Sequence, residues 1–187
     1  MWPDDAAMVW TIGHSTRPYE AFLGLLRGRE IELLADVRHF PSSERVPWSN
    51  GPRLREALEA SGIRYRHFED LGGYRKPRPD SVNLGWRSGG FRGYADHMDT
   101  PEFRDGLDAL LEEAARGRTC VMCAEAVPWR CHRSLLSDAL LARAVRVIHI
   151  LGPGSSREHA LTPFARIRGG RVVYPGRGAK GDKPAPR

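Results

Sequence analysis

Short, nearly continuous apolar runs along the chain predict strands. Four of them, MVWTIGHS from near Met8, IELLADVR, TCVMCAE and VRVIHI, have almost wholly apolar interiors, and the alternating segment IRYRHF predicts a further short strand. A nearly continuous apolar interior is expected of a strand whose sheet is covered on both faces.

The segments between these runs show helical spacing instead. Apolar residues recur every three to four positions in PYEAFLGLLRGR, around Leu54 and Leu58, from about Thr100 to Arg116, and in SLLSDALLARA. Strands that alternate with helices in this way are typical of a parallel sheet with helices on both faces. We therefore expect a three-layer, Rossmann-like α/β fold with a mostly parallel sheet of about five strands.

Two segments do not follow either pattern clearly. Residues 69–93 are rich in glycine and proline, and no regular element is predicted for them. The segment IRGGRVVY predicts a last strand or a hairpin around Gly169 and Gly170.

Length and charge divide the chain into a body and a tail. A chain of 187 residues is long enough for one domain with an ordinary core, which we place at residues 1–174. Residues 164–187 hold seven Lys and Arg residues and one acid, so they carry the whole net charge of +6 and the rest is formally neutral. We expect the Gly/Pro-rich residues 175–187 to form a disordered basic tail that could contact phosphates.

Composition favours a cytoplasmic protein. No apolar run approaches the roughly 20 residues that span a bilayer, and no contact with a membrane is predicted. The first residues, MWPDDAAMVW, carry two acids where a secretory signal would have bases. Three cysteines exclude a complete disulfide framework and favour a reduced compartment.

In a parallel sheet, ligands bind beyond the carboxyl ends of the strands, so the residues there are the candidates for chemistry. The first predicted strand ends in Gly13, His14 and Ser15, where a glycine permits close approach of a ligand; Ser15 would otherwise serve only to cap the next helix. The second ends in Asp36 and Arg38, which lie on one side of the strand. Asp36 suits acid–base work and Arg38 suits binding of a phosphate or carboxylate, unless the two form a structural ion pair.

The segment CVMCAEAVPWRCHR combines a strand end with the start of a helix. Cys123 and Glu125 face the same side, and Cys131, His132 and Arg133 open the next helix, whose N-terminus attracts anions and lowers the pKa of a thiol. Either Cys123 or Cys131 could be a nucleophile activated by a histidine. A Cys₃His zinc site is disfavoured because cysteines three apart on a strand face opposite sides, so no metal is predicted.

The irregular segment 69–93 interleaves bases with aromatic residues, including Tyr74 and Trp86, and Tyr94 follows it. Such a combination suits phosphate contacts and stacking on a nucleobase, although the aromatic rings could equally anchor the loop on the body. TIGHS is not a dinucleotide-binding glycine motif, and no cofactor is predicted.

An ordered set of short motifs resembles the family known as domain of unknown function 488. The set comprises TIGHS, the stretch from Asp36 to Ser42, the LGG turn at Leu71, the Gly93-Tyr94 pair, MCAE and CHR, and the resemblance runs from about Val9 to Ile150. The family has no agreed activity. The resemblance implies one α/β domain with the motif residues gathered in a cleft.

Three hypotheses about function follow. The first is an enzyme that acts on a phosphate-bearing or nucleobase-containing substrate; the second is a non-catalytic module that binds a nucleotide or nucleic acid; the third is a cysteine-based redox or metal-binding protein. The predicted partner is thus a small anionic ligand or a nucleic acid. The candidate catalytic residues are Asp36, Glu125, His132 and Cys123, and the candidate binding residues are Gly13, His14, Ser15, Arg38, Cys131, Arg133, Tyr74, Trp86 and Tyr94.

Overall fold

A computed structural model describes residues 7–176. Its strands are β1 Met8–Gly13, β2 Leu33–Asp36, β3 Arg64–His67, β4 Thr119–Cys123, β5 Arg146–Gly152, β6 Ser155–Glu158, β7 Arg166–Arg168 and β8 Arg171–Val173. Its α-helices are α1 Tyr19–Arg27, α2 Gly51–Glu59, α3 Gly89–His97, α4 Pro101–Arg116 and α5 Arg133–Ala142. No helix within this range is long and apolar enough to cross a membrane.

The main sheet has six strands in the order β3-β2-β4-β1-β5-β6. All neighbouring pairs are parallel except β5 and β6, which are antiparallel. The central strands β1 and β4 end in register, with Gly13 opposite Cys123. This arrangement brings the carboxyl ends of β2, β4 and β1 together at one edge, which is where the candidate residues follow their strands.

Successive side chains along each strand pack alternately into two separate hydrophobic cores, one on each face of the sheet. Val9, Val121 and Val147 face the core formed with α3, α4 and α5, whereas Trp10, Met122 and Ile150 face the core formed with α1 and α2. Burial on both faces explains the nearly continuous apolar runs in these strands. The predicted α/β fold, with a mostly parallel sheet between helical layers, is confirmed.

The structure corrects three details of the prediction. The sheet has six strands rather than about five, because β6 is a wholly exposed, polar edge strand with no hydrophobic pattern. The segment 69–93, expected to be irregular, contains the start of α3. The predicted hairpin at Gly169 and Gly170 exists as β7 and β8, but it forms a separate two-stranded sheet.

The rest of the long loop before α3 is fixed by one buried carboxylate. Asp96 of α3 accepts hydrogen bonds from the backbone N–H of Arg78 at 2.8 Å, the hydroxyl of Ser81 at 2.6 Å and the side-chain amide of Asn83 at 2.8 Å. The amide oxygen of Asn83 in turn accepts a bond from the backbone N–H of Tyr174. The loop is therefore ordered without regular structure.

The predicted tail at 175–187 lies almost entirely outside the described residues, so the domain boundary at 174 stays a prediction.

A directional chain of hydrogen bonds runs through the buried interior between α5 and β1. His159 donates through Nε2 to Asp138 at 2.9 Å, so its Nδ1 accepts from Nε2 of His149 at 3.0 Å. Nδ1 of His149 then accepts from the hydroxyl of Thr11 at 2.7 Å, and that oxygen accepts from Nη1 of Arg133 at 3.4 Å. One choice of tautomers satisfies every step. The chain fixes the position of the Arg133 guanidinium.

The end of β1 depends on a glycine. A Cβ atom at Gly13 would lie 1.7 Å from the carbonyl oxygen of Glu125, in the loop that follows β4. Only a residue without a side chain allows these two segments to approach so closely, and their approach brings the ends of β1 and β4 together.

We predict that Gly13→Ala lowers the free energy of unfolding by more than about 3 kcal/mol, because backbone must move to relieve the clash. Gly24→Ala is the matched control. Gly24 is exposed in α1 with open space around its Cα, so this change should raise stability by about 0.5–1 kcal/mol. Denaturant unfolding measures both; equal small effects would contradict the close approach.

Burial, together with the nearby His159, lowers the pKa of His149 to about 3. Between the ordinary value of about 6.5 and this value, the unfolded chain binds more protons than the folded one, so stability falls as pH falls. We predict that in His149→Gln this part of the acid destabilisation disappears. Its curve of unfolding free energy against pH should be shallower by up to about 1.4 kcal/mol per pH unit below pH 6.5.

The control for this prediction is Ser137→Ala, which removes a buried hydrogen bond to the Arg133 carbonyl but no titratable group. Its curve should stay parallel to that of the wild type. A His149→Gln curve that is also parallel would show that His149 is not held neutral.

Candidate functional site

A cavity of about 520 Å³ opens at the carboxyl edge of the sheet. It lies where β1, β2 and β4 end, between the loop after β2, the start of α3 and the start of α5. Its lining residues are His14, Arg38, His39, Phe40, Ser42, Ser43, Gly73, Tyr74, Ser88, Gly90, Phe91, Tyr94, Cys123, Ala124, Glu125, Arg130, Cys131 and His132. This volume suits a small molecule.

Two thiols meet in the wall of this cavity. The sulfurs of Cys123, the last residue of β4, and Cys131, just before α5, are 2.8 Å apart. Both residues are buried, with exposed fractions of 1% and 5%. The third cysteine, Cys120, faces the opposite core, as strand alternation predicted.

The surroundings favour ionisation of Cys131. The hydrogen bond from the Cys123 thiol lowers the pKa of Cys131 below its ordinary value, although burial opposes this, and the positive charge of Arg133 lowers it further. The backbone N–H of Arg133 also donates to this sulfur at 3.5 Å. By contrast, burial holds the pKa of Cys123 well above the ordinary value. Cys131 is therefore the more acidic thiol of the pair.

His132 presents an unprotonated nitrogen to Cys131. Its Nε2 donates to the carbonyl oxygen of Val37 at 2.9 Å, so the neutral ring has its lone pair on Nδ1, which lies 3.6 Å from the Cys131 sulfur. Burial lowers the pKa of His132, which keeps the ring neutral near pH 7. Nδ1 of His132 can accept the proton that Cys131 loses.

His14 contributes a second free nitrogen. Its Nδ1 donates to the carbonyl oxygen of Ser15 at 2.8 Å, which leaves the lone pair on Nε2. This atom is buried and has no hydrogen-bond partner, and burial lowers the pKa of the ring. Ser15 adopts a left-handed backbone conformation with φ of 50° at the turn that positions His14. An unpartnered buried acceptor beside a cavity is costly unless a ligand or water donates to it.

Asp36 and Arg38 form a buried ion pair. Nη2 of Arg38 lies 2.5 Å from Oδ2 of Asp36, and the hydroxyl of Tyr65 donates to the same oxygen at 2.7 Å. Arg38 also donates to the carbonyl oxygen of Ser49 at 2.7 Å. Arg38 reaches the cavity wall, whereas Asp36 is fully buried behind it. The charge of Arg38 is thus largely compensated.

Arg133 lies behind the cavity wall rather than in it. Its side chain is 1% exposed, and Nη2 donates to the backbone carbonyl of Glu125 at 2.8 Å, not to that residue's carboxylate. Nε has no hydrogen-bond partner, and no carboxylate within residues 7–176 forms an ion pair with the guanidinium. Glu125 itself is exposed and lines the cavity.

The three aromatic residues that were predicted to bind a ligand, Tyr74, Trp86 and Tyr94, lie in different places. Tyr74, 86% exposed, stands at the cavity rim with its ring 6.1 Å from that of Phe40, which is 64% exposed. Tyr94 forms part of the wall and is buried, and its hydroxyl donates to the carbonyl oxygen of Leu71. Trp86 is not part of the wall; it packs on the rings of Phe91, Phe164 and Tyr174 and anchors the loop.

Most of the predicted site residues therefore surround one space. His14, Arg38, Tyr74, Tyr94, Cys123, Glu125, Cys131 and His132 line the cavity, whereas Asp36, Arg133 and Trp86 do not, and neither do Gly13 and Ser15 at the end of β1. The residues that sequence reasoning missed come mainly from the loop after β2 and from the start of α3: His39, Phe40, Ser42, Ser43, Ser88, Phe91 and Arg130. The loop after β2 could have been recognised as part of the site, because it directly follows the carboxyl end of that strand.

Within residues 7–176, no three His, Cys, Asp or Glu side chains are grouped closely enough to hold a metal ion. The thiols, imidazole rings and carboxylate that line the cavity are groups suited to nucleophilic and acid–base chemistry.

Comparison with known proteins identifies a family. A model of the family described as domain of unknown function DUF488 matches residues 18–140. No curated protein and no solved structure matches the chain. The matched segment covers most of the chain and includes Asp36, Arg38, Cys123 and Cys131–Arg133. The chain belongs to the DUF488 family.

Proposed function

We propose that this protein is an enzyme that acts on a phosphate-bearing or nucleobase-containing substrate in the cavity, with Cys131 as its nucleophile. One observation carries this proposal: Cys131, whose pKa is lowered, and His14, whose buried Nε2 has no hydrogen-bond partner, both line the same cavity. A nucleophile and a free base gathered at strand ends are typical of a catalytic site.

In the proposed reaction, the Cys131 thiolate attacks an electrophilic atom of the substrate and the leaving group departs. Nε2 of His14 then takes a proton from a water molecule, which hydrolyses the bond between the sulfur and the transferred group. A lowered thiol pKa increases the fraction of thiolate at neutral pH, and the thiolate is the reactive form. The hydrogen bond from Cys123 and the charge of Arg133 supply this effect here.

Charge and shape at the cavity support the proposed substrate class. Arg130 lines the cavity, is exposed, and forms no ion pair within the described residues, so its guanidinium is available to a phosphate. Hydroxyls of Ser42, Ser43 and Ser88 surround the same space. At the rim, the exposed rings of Tyr74 and Phe40 offer flat apolar surface on which a nucleobase can stack.

The exposed rim rings also support a second candidate, a module that binds a nucleotide without transforming it. Neighbouring exposed aromatic rings form a contiguous apolar surface of the kind that contacts a partner. The two functions make different demands on Cys131: an enzyme needs its sulfur, whereas a binding module does not.

We predict that a nucleotide protects Cys131 from alkylation by iodoacetamide. Nucleoside monophosphates, nucleosides and inorganic phosphate serve as probes, and tryptic peptide mapping reports the alkylation.

Tyr74→Ala should weaken nucleoside and nucleotide binding by about 1–3 kcal/mol, because one stacking surface is lost, and leave the binding of inorganic phosphate unaffected. Val82→Ala is the control, since Val82 is 60% exposed and does not line the cavity.

Cys131→Ser separates the two candidates. For an enzyme, the variant should still bind the nucleotide but form no product and no covalent adduct, as followed by mass spectrometry. If the wild type binds a nucleotide that stays unchanged and forms no adduct, the protein is a binding module. If none of the probes protects Cys131 or shifts the melting temperature, the proposed substrate class is wrong.

A further inference from the structure

The contact between Cys123 and Cys131 is closer than packing requires. Their sulfurs are 2.8 Å apart, whereas a disulfide bond is about 2.05 Å long, so a movement of about 0.8 Å would join them. Both cysteines line the cavity, which a small oxidant can enter. Two core cysteines that served only to fill space would need neither this proximity nor this access.

We propose that Cys123 and Cys131 form a reversible redox pair, in which a hydroperoxide oxidises Cys131 and Cys123 then closes a disulfide bond with it. The dithiol state described here is the reduced form. The pair thus constitutes a modification site at the base of the cavity, distinct from the substrate chemistry proposed above.

The reaction takes place in two steps. The Cys131 thiolate attacks the terminal oxygen of the hydroperoxide, the O–O bond breaks, and the alkoxide takes a proton from solvent and leaves as an alcohol; Cys131 becomes a sulfenic acid. The sulfur of Cys123 then attacks the Cys131 sulfur, the S–O bond breaks, and the hydroxide leaves as water with the Cys123 proton. Two electrons pass from the dithiol to the peroxide, and two equivalents of an external thiol restore the reduced pair.

The two sulfurs are suited to different steps. Arg133 donates its backbone N–H to Cys131, and its guanidinium favours negative charge on that sulfur, so Cys131 is the thiol that reacts first. Cys123 lies in contact with the Cys131 sulfur, and burial raises its pKa, so it stays protonated until the sulfenic acid forms. This asymmetry matches the roles of an attacking and a resolving cysteine.

The backbone on both sides holds the pair in place. Cys123 ends β4 in register with Gly13, and the backbone N–H of Cys131 donates to the carbonyl oxygen of Pro128 in the turn before α5. Arg133 binds the carbonyl oxygen of Glu125 within the same short loop. The sulfurs are thus fixed by rigid elements and can join without unfolding either one.

One consequence rests on the proposed function: if Cys131 is the nucleophile, the disulfide switches the enzyme off until a thiol reduces it. The redox chemistry itself does not depend on that function. It is measured without any substrate, so either proposal can fail while the other stands.

The test treats the reduced full-length protein with about one equivalent of hydrogen peroxide, followed by alkylation of the free thiols and digestion with trypsin. Cleavage after Arg118, Arg130 and Arg133 places Cys131 in a tripeptide and leaves Cys123 and Cys120 in residues 119–130. We expect mass spectrometry to show these two peptides joined by a disulfide, and dithiothreitol to separate them. Cys120→Ser, which alters a cysteine in the opposite core, should form the same link.

In Cys123→Ser the oxidation should stop at the sulfenic acid, which dimedone labels on the tripeptide. Three results would overturn the proposal: a wild-type pair that stays reduced, oxidation of Cys131 directly to sulfinic or sulfonic acid, or a link that disappears in Cys120→Ser. The wild-type and Cys120→Ser measurements together decide the question even if Cys123→Ser does not fold.

Discussion

The arrangement of the site depends on a positive charge buried at the start of α5. Arg133 is 1% exposed, and no carboxylate within residues 7–176 forms an ion pair with it. A buried charge is strongly destabilising unless hydrogen bonds and a nearby opposite charge compensate it. The carbonyl oxygen of Glu125 and the hydroxyl of Thr11 accept hydrogen bonds from the guanidinium, and a thiolate at Cys131, which the proposed function requires, supplies the opposite charge. The cation and the thiolate thus stabilise each other.

The hydrogen bonds that position the Arg133 guanidinium continue beyond the site, into the interior between the sheet and α5. Thr11 holds the guanidinium only because its hydroxyl proton is accepted by His149, which in turn depends on His159 and Asp138. This chain joins β1, β5 and α5, so the sheet and one helix together set the position of the charge beside Cys131. The acidity of Cys131 therefore depends on the whole α/β framework, and both the proposed nucleophile and the proposed redox pair rely on it.

The fold and the location of the site could be predicted from the sequence because both follow from local patterns. Continuous apolar runs predicted the buried strands, and their polar ends predicted the edge at which Cys123, Glu125 and Cys131 meet. The hydrogen-bond and ion-pair partners of the site residues could not be predicted in this way. Arg133 binds the backbone carbonyl of Glu125 behind the cavity wall, and Asp36 is buried under Arg38 and Tyr65. These contacts depend on the order of the strands and on how deeply each residue lies in the fold. The exposed strand β6 and the glycine-rich start of α3 carry no hydrophobic pattern at all.

The most direct test of this account is the pKa of Cys131, measured from the pH dependence of thiolate absorbance and of alkylation rate in a Cys120→Ser background. The account predicts a value clearly below the roughly 8.5 of an ordinary cysteine, and a higher value in Thr11→Val, which removes the hydroxyl that positions Arg133. A value at or above that of an ordinary cysteine would contradict the thiolate, and with it the proposed roles of Cys131.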